Sequence, residues 1–127
     1  MRRTLILTLA VLACALGVCW AAQATLNGTV EQARRLHAQA LLAENDGDSD
    51  RAGELLVQLA QLWRDRAGVL EMLASHDALH DVSAAIAEAQ ICLECDDHDD
   101  FLRTMSQVDM GLDHLKDEEA LKWGNLY

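Results

Sequence analysis

Apolar residues recur at steps of three and four over two consecutive segments between His76 and Leu115. They stand at Leu79, Val82, Ile86, Ala89 and Leu93, and then at Phe101, Met105, Val108, Leu112 and Leu115. This spacing places each set on one face of an α-helix. The acidic stretch Asp96-Asp97-His98-Asp99-Asp100 between them is short enough to make an antiparallel hairpin. Two helices alone bury little apolar surface, so the pattern predicts further partner helices.

The same spacing continues on the N-terminal side of the hairpin. It predicts helices over residues 26–43 and 50–73, and places the hairpin helices at 77–95 and 99–115. The expected fold is all-α: an N-terminal membrane or signal helix followed by an antiparallel up-down bundle of about four helices.

Polar and small residues mark the expected breaks between helices. Asn27-Gly28 is a candidate joint between the N-terminal segment and the first bundle helix. Ser49 or Asp50 is the expected N-cap of the next helix. The polar run 116–119 predicts the end of the last long helix, with one more helical turn at residues 120–123.

The N-terminal segment differs in composition from the rest of the chain. Arg2 and Arg3 precede an uncharged run of 19 residues, Thr4 to Ala22, which as a helix spans about 28 Å, close to the thickness of a bilayer's hydrocarbon core. The run also fits a secretory signal with a cleavage site near Ala24. We therefore divide the chain into an anchor or signal at 1–24 and an extracytoplasmic domain at 25–127. The two arginines favour a single-pass protein of the cell membrane with its C-terminal domain outside, and cleavage would instead release the domain.

Charge restricts the possible partners of the domain. From residue 25 onward there are eight Lys or Arg and 21 Asp or Glu, a net charge of −13 with neutral histidines. Such a domain is not expected to bind nucleic acid or anionic lipid headgroups through general electrostatics. The five aromatic residues, the absence of proline and the abundance of Ala and Leu favour helices over a β-sandwich or barrel.

The acidic loop after the first bundle helix resembles half of a calcium site. Asp46, Asp48 and Asp50 have the alternate spacing of an EF-hand loop, but Arg51 and Val57 occupy the positions that require glycine and the bidentate glutamate. A solvated turn between helices fits the loop better than calcium binding.

Two further motifs imitate catalytic or metal sites. His76-Asp77-Ala78-Leu79-His80 places two histidines four residues apart, as in zinc proteases, but the acid is the shorter Asp and no third ligand is evident. Capping and packing at a helix start explain this motif more simply.

Cys92-Leu93-Glu94-Cys95, followed by His98, has half of the spacing of a zinc site. Structural or disulfide-linked cysteines, zinc binding and redox chemistry all remain open for this motif. No second CxxC, phosphate-binding glycine loop or nucleophile elbow accompanies it, so we expect no cofactor and no enzymatic activity.

Several of these residues together resemble one family of short bacterial proteins, domain of unknown function 4363. The resemblance lies in Trp63, then His76-Asp77-x-Leu79, a helix, an acidic turn, a second helix and the terminal Asn125-Leu126. It covers about residues 50 to 127 and extends more loosely to the N-terminal apolar segment. It implies a small, membrane-anchored, helical protein of no established activity, with Trp63, His76, Asp77, Leu79 and Asn125 in a structural or interaction role.

The sequence therefore favours a membrane-tethered, non-enzymatic interaction module or accessory subunit. Its expected partner is another membrane or cell-envelope protein, recognised through a helix face near Trp63 and the Trp123 tail. The alternative is a metal-binding or redox domain that uses Cys92, Cys95 and His98.

Overall fold

The computed structural model describes the backbone of residues 1–124 and the side chains of residues 1–117. Within this range the chain is helical without strands, as predicted. The helices are α1 (Arg2–Asn45), α2 (Ser49–Asp65), α3 (Ala67–Leu73), α4 (His76–Glu94) and α5 (His98–Gly124).

The four long helices form an up-down bundle. α1 packs against α2 and α5, α4 packs against α5 and α2, and the short α3 lies on α1 and α4. The core is built from the predicted apolar faces, with Leu56, Leu59, Phe101 and Met105 fully buried. This burial of one face of each helix holds the bundle together.

The bundle has two distinct ends. Residues 2–21 of α1 project from one end, which we call the base, and all of them are exposed. Burial begins near Leu26, which is 1% exposed. Among the residues that the structure describes, α1 is the one helix long and apolar enough to cross a membrane, and its apolar window is fully exposed. The predicted joint at Asn27-Gly28 is wrong, because α1 continues unbroken through both residues.

The other end, the tip, carries two turns of the same construction. After α1, the Asp48 amide donates to the Ala43 carbonyl at 2.8 Å and Gly47 adopts a φ of 82°. After α4, the Asp97 amide donates to the Cys92 carbonyl at 3.0 Å and Asp96 adopts a φ of 53°. Both are Schellman-type helix ends with one left-handed residue.

An aspartate then begins the next helix in both turns. The Asp48 carboxylate accepts from the Arg51 amide, and the Asp97 carboxylate accepts from the Asp100 amide, both at 3.1 Å. The predicted N-cap at Ser49 or Asp50 is therefore wrong by one or two residues. Because Asp48 caps a helix, the acidic loop is a helix-helix turn, as favoured from the sequence.

Two other boundaries differ from the prediction. The expected helix 50–73 is divided at Arg66, whose φ of −99° and ψ of 0° interrupt the helix; Gly68, a poor helix former, follows two residues later. The expected break at 116–119 is also wrong, because α5 runs on to Gly124. Lysine and glutamate favour helices, so this polar run continues the helix instead of ending it.

Polar contacts fix α5 against its neighbours. His37, nearly buried on α1, has its Nε2 atom 2.7 Å from the Met105 carbonyl, and Arg34 pairs with Asp113. Near the tip, Arg103 joins Asp100 and Glu88, each at 3.3 Å. The hydrogen bond to Asp100 and the two carboxylate charges raise the pKa of the Arg103 guanidinium above its ordinary value.

Candidate interaction site

Trp63 connects the end of α2 to the first turns of α4. The indole is 5% exposed, and its Nε1–H donates to the Leu79 carbonyl at 3.4 Å. Leu79 itself is 8% exposed. The hydrogen bond and the burial of both side chains hold the end of α2 against the first turns of α4.

The residues around His76 form a well-capped helix start. The Ser75 hydroxyl accepts from the Ala78 amide at 3.3 Å and so caps α4. Asp77 lies exposed in the first turn, where a negative charge interacts favourably with the helix dipole. Asp77 therefore supports the start of α4 through its charge, beside the cap made by Ser75.

A pocket of about 190 Å³ opens between α2, α3 and α4. Apolar atoms from Trp63, Leu70 and Leu79 form its inner wall, and polar side chains surround its mouth. The lining residues are Trp63, Arg64, Ala67, Leu70, Glu71, His76, Leu79, His80 and Ser83. We refer to this feature as the Trp63 pocket.

The Trp63 pocket brings together four residues singled out in the sequence: Trp63, His76, Leu79 and His80. Asp77 is not part of its lining, and Asn125 lies outside the described residues, as do the side chain of Trp123 and the last two residues. Apolar spacing alone does not predict that Leu70 and Glu71 line a pocket; both reach it because the chain turns at Arg66.

The two histidines of the pocket, His76 and His80, have no third metal-binding side chain grouped with them among residues 1–117. The His76 and His80 rings lie on one face of α4 with their centroids 6.4 Å apart and tilted by 47°. Among the side chains of residues 1–117, no three His, Cys, Asp or Glu groups are placed to hold a metal ion. The pocket is suited to bind an apolar side chain of a partner whose neighbouring residues are polar, because its inner wall is apolar and its mouth is polar.

The cysteine motif is dispersed by the fold. Cys92 is buried in α4, with its Sγ atom 3.8 Å from the Thr104 hydroxyl, whereas Cys95 is exposed at the helix end. His98 instead has its Nδ1 atom 3.5 Å from a Glu44 carboxylate oxygen across the tip. All four cysteines are free thiols in the structure. The motif thus contributes one core residue and two surface residues.

Comparison with known proteins identifies the family. Residues 22–126 match the family model described as domain of unknown function (DUF4363). No curated protein and no solved structure matches the chain. Because the match covers most of the chain, the protein belongs to this family, and the matched region begins where α1 starts to pack into the bundle.

Proposed function

We propose that this member of the family is a membrane-tethered, non-enzymatic interaction module, an accessory subunit that binds another membrane or cell-envelope protein through the Trp63 pocket. In this proposal the apolar segment of α1 spans the cell membrane and the bundle lies outside. Arg2 and Arg3 favour this orientation through the positive-inside rule.

The observation that carries the proposal is the continuity of α1. One helix contains both the exposed apolar segment and the face that packs on α2 and α5. A bundle mounted in this way is held at a fixed height above the membrane. Cleavage near Ala24 would remove the apolar segment but leave Leu26, the first core residue of α1. The same proposal would then apply to a bundle released from the membrane.

The position of the Trp63 pocket suits a membrane partner. Asp65, at the end of α2, lines a groove with Gln32 of α1, and Gln32 lies about 15 Å beyond Ala22 at the helical rise. The pocket next to it is therefore within reach of short extracytoplasmic segments of another membrane protein. Its apolar wall and its rim of Arg64, Glu71, His76 and His80 resemble a pocket for one anchoring side chain.

The test is affinity capture of the full-length protein from its native membrane through a C-terminal tag, with mass spectrometry of the partners. Trp63→Ala is unsuitable as the decisive variant, because it removes a core side chain. We instead fill the pocket with Ala67→Leu and use Ala84→Leu as the matched control, since Ala84 is exposed and outside the pocket lining.

We expect one stoichiometric membrane or envelope protein whose recovery falls at least about fivefold with Ala67→Leu and is unchanged with Ala84→Leu. Equal recovery with both variants would refute the role of the pocket. A protein without a partner that carries about one zinc, lost on Cys92→Ser, would support the metal-binding alternative instead. Immunoblotting of the tagged chain for a size decrease of about 24 residues would decide between anchor and cleaved signal.

A further inference from the structure

A second opening lies between α2 and α4 near the tip of the bundle, and it shares no lining residue with the Trp63 pocket. This groove has a volume of about 650 Å³ and lies between the first turns of α2 and the last turns of α4. Val57 on one wall is 54% exposed and Ile91 on the other is 59% exposed. We refer to it as the tip groove.

The groove exists because small side chains line it. A Cβ atom added at Gly53 would meet no atom within 4 Å, so the space beside α2 is open there. Ala87 is the small residue on the α4 side. An aliphatic side chain from outside therefore has room between Val57 and Ile91.

The rim of the tip groove is strongly acidic. Asp50, Glu94 and Asp96 line it. Residues 44–54 and 88–103, which build this end of the bundle, contain eleven Asp or Glu and two Arg, a net charge of −9. Both arginines pair with other acids of the tip, Arg51 with Glu54 at 3.2 Å and Arg103 with Asp100 and Glu88. The tip groove thus combines aliphatic walls with a negative field.

This combination excludes two simple occupants. A symmetric contact with a second copy would place the acidic rim against itself, which like-charge repulsion opposes. The membrane that holds α1 is too distant: Gln39, which shares a neighbouring groove with Val57, lies about 25 Å beyond Ala22 along the helix, and interfacial contacts reach only about 5–10 Å.

We propose that the tip groove binds a basic amphipathic helix of a partner protein. The apolar face of that helix lies between Val57 and Ile91, and its Lys or Arg residues face Asp50, Glu94 and Asp96. Helix-in-groove binding of this kind takes its affinity from the apolar anchors and its selectivity from the complementary charge. The inference rests on the proposed function in treating the bundle as an interaction module tethered to the membrane through α1, and it uses a different surface.

The test measures binding of a defined probe to the full-length protein in phosphatidylcholine nanodiscs. The probe is a fluorescein-labelled helical peptide of about 18 Leu and Lys residues, compared with a Leu/Glu peptide of the same pattern. Fluorescence anisotropy measures binding of each peptide, and the same measurement with empty nanodiscs gives the binding that is due to lipid alone.

Two variant pairs separate specific binding from general charge attraction. Ile91→Ser is matched with Met110→Ser, because Met110 is also exposed, at 65%, but lies on α5 away from the groove. The triple variant Asp50→Asn/Glu94→Gln/Asp96→Asn is matched with Asp65→Asn/Asp81→Asn/Asp117→Asn, which removes the same charge elsewhere. Circular dichroism checks folding, and Val57→Ser repeats the apolar test from the opposite wall.

We expect the Leu/Lys peptide to bind above the level of empty nanodiscs, and the Leu/Glu peptide not to bind. Ile91→Ser and the groove triple variant should each weaken binding at least about fivefold, with both controls within about twofold of the parent. Equal weakening by the two triple variants, or no effect of Ile91→Ser, would overturn the proposal. A dimer that Ile91→Ser abolishes, without peptide binding, would assign the groove to a second copy. Ala67→Leu should leave peptide binding unchanged, so this inference and the proposed function fail independently.

Discussion

Gly111 is the glycine whose replacement tests the packing of α5 on α4 most directly. A Cβ atom at this position would lie 2.6 Å from Cγ2 of Val82 and 3.9 Å from its Cα. Val82 is 1% exposed, and valine in a helix strongly prefers one χ1 rotamer, so its methyl group cannot easily turn aside. The absence of a side chain at Gly111 therefore sets the distance between the two helices.

The expected free-energy change of Gly111→Ala has two parts of opposite sign. Helix propensity favours Ala over Gly by about 1 kcal/mol, whereas overpacking of a tight core costs about 1–3 kcal/mol. Gly53→Ala is the matched control: it has the same propensity gain inside α2, and its new Cβ meets nothing within 4 Å. The stability difference between the two variants, about 1–3 kcal/mol in favour of Gly53→Ala, is then the packing term alone.

The assay is urea unfolding of the full-length protein in detergent micelles, followed by far-UV circular dichroism. Adding Val82→Ala to both backgrounds gives a double-mutant cycle, in which the cost of Gly111→Ala should disappear once the opposing methyl groups are gone. The reasoning is refuted if Gly111→Ala is as stable as Gly53→Ala, or if its cost is the same with and without the Val82 side chain.

Three further substitutions have expected outcomes in the same unfolding assay. Asp96→Gly should stabilise the protein by about 0.5–1 kcal/mol because glycine adopts the left-handed conformation of Asp96 without strain. Gly47→Asp should destabilise the protein for the same reason, and a change of stability in the same direction for both variants would contradict the argument. Ser75→Ala should cost about 1 kcal/mol through loss of the α4 cap, and Ser106→Ala, an exposed position inside α5, is its control. Trp63→Phe should cost about 1–2 kcal/mol by losing the bond to the Leu79 carbonyl and part of the ring; a neutral result would show that this contact does not hold α2 to α4.

The hairpin of α4 and α5 could be predicted well because its apolar period is regular. Phe101, Met105, Val108 and Leu112 all lie in the core, and α4 begins and ends within one residue of the expected positions. The extension of α5 to Gly124 does not follow from the pattern, because the charged run 116–119 predicts a break between helices. Such residues are good helix formers, and only the tertiary structure shows whether the helix continues.

The Trp63 pocket could be predicted only in part. Trp63, His76 and Leu79 stood out in the sequence, but their meeting depends on the chain turning at Arg66. The apolar spacing continues from Trp63 through Leu70, so periodicity alone indicates one straight helix over 50–73. Gly68 was the available signal for the break, and an isolated glycine inside a helical pattern is a weak one.

The two ends of the bundle differ in how regularly their helices are connected. At the tip, two turns of the same Schellman type connect the paired helices, and local sequence rules account for both. At the base, α2 and α4 are connected through Arg66 and the short α3, and here the sequence rules fail. Such failures are expected where a chain meets a functional requirement instead of the simplest fold. The irregular connection creates the Trp63 pocket, and a direct α2–α4 turn like those of the tip would leave Leu70 and Glu71 out of it. Under the proposed function, α3 therefore completes the binding pocket on the side of the bundle nearer to the apolar segment of α1.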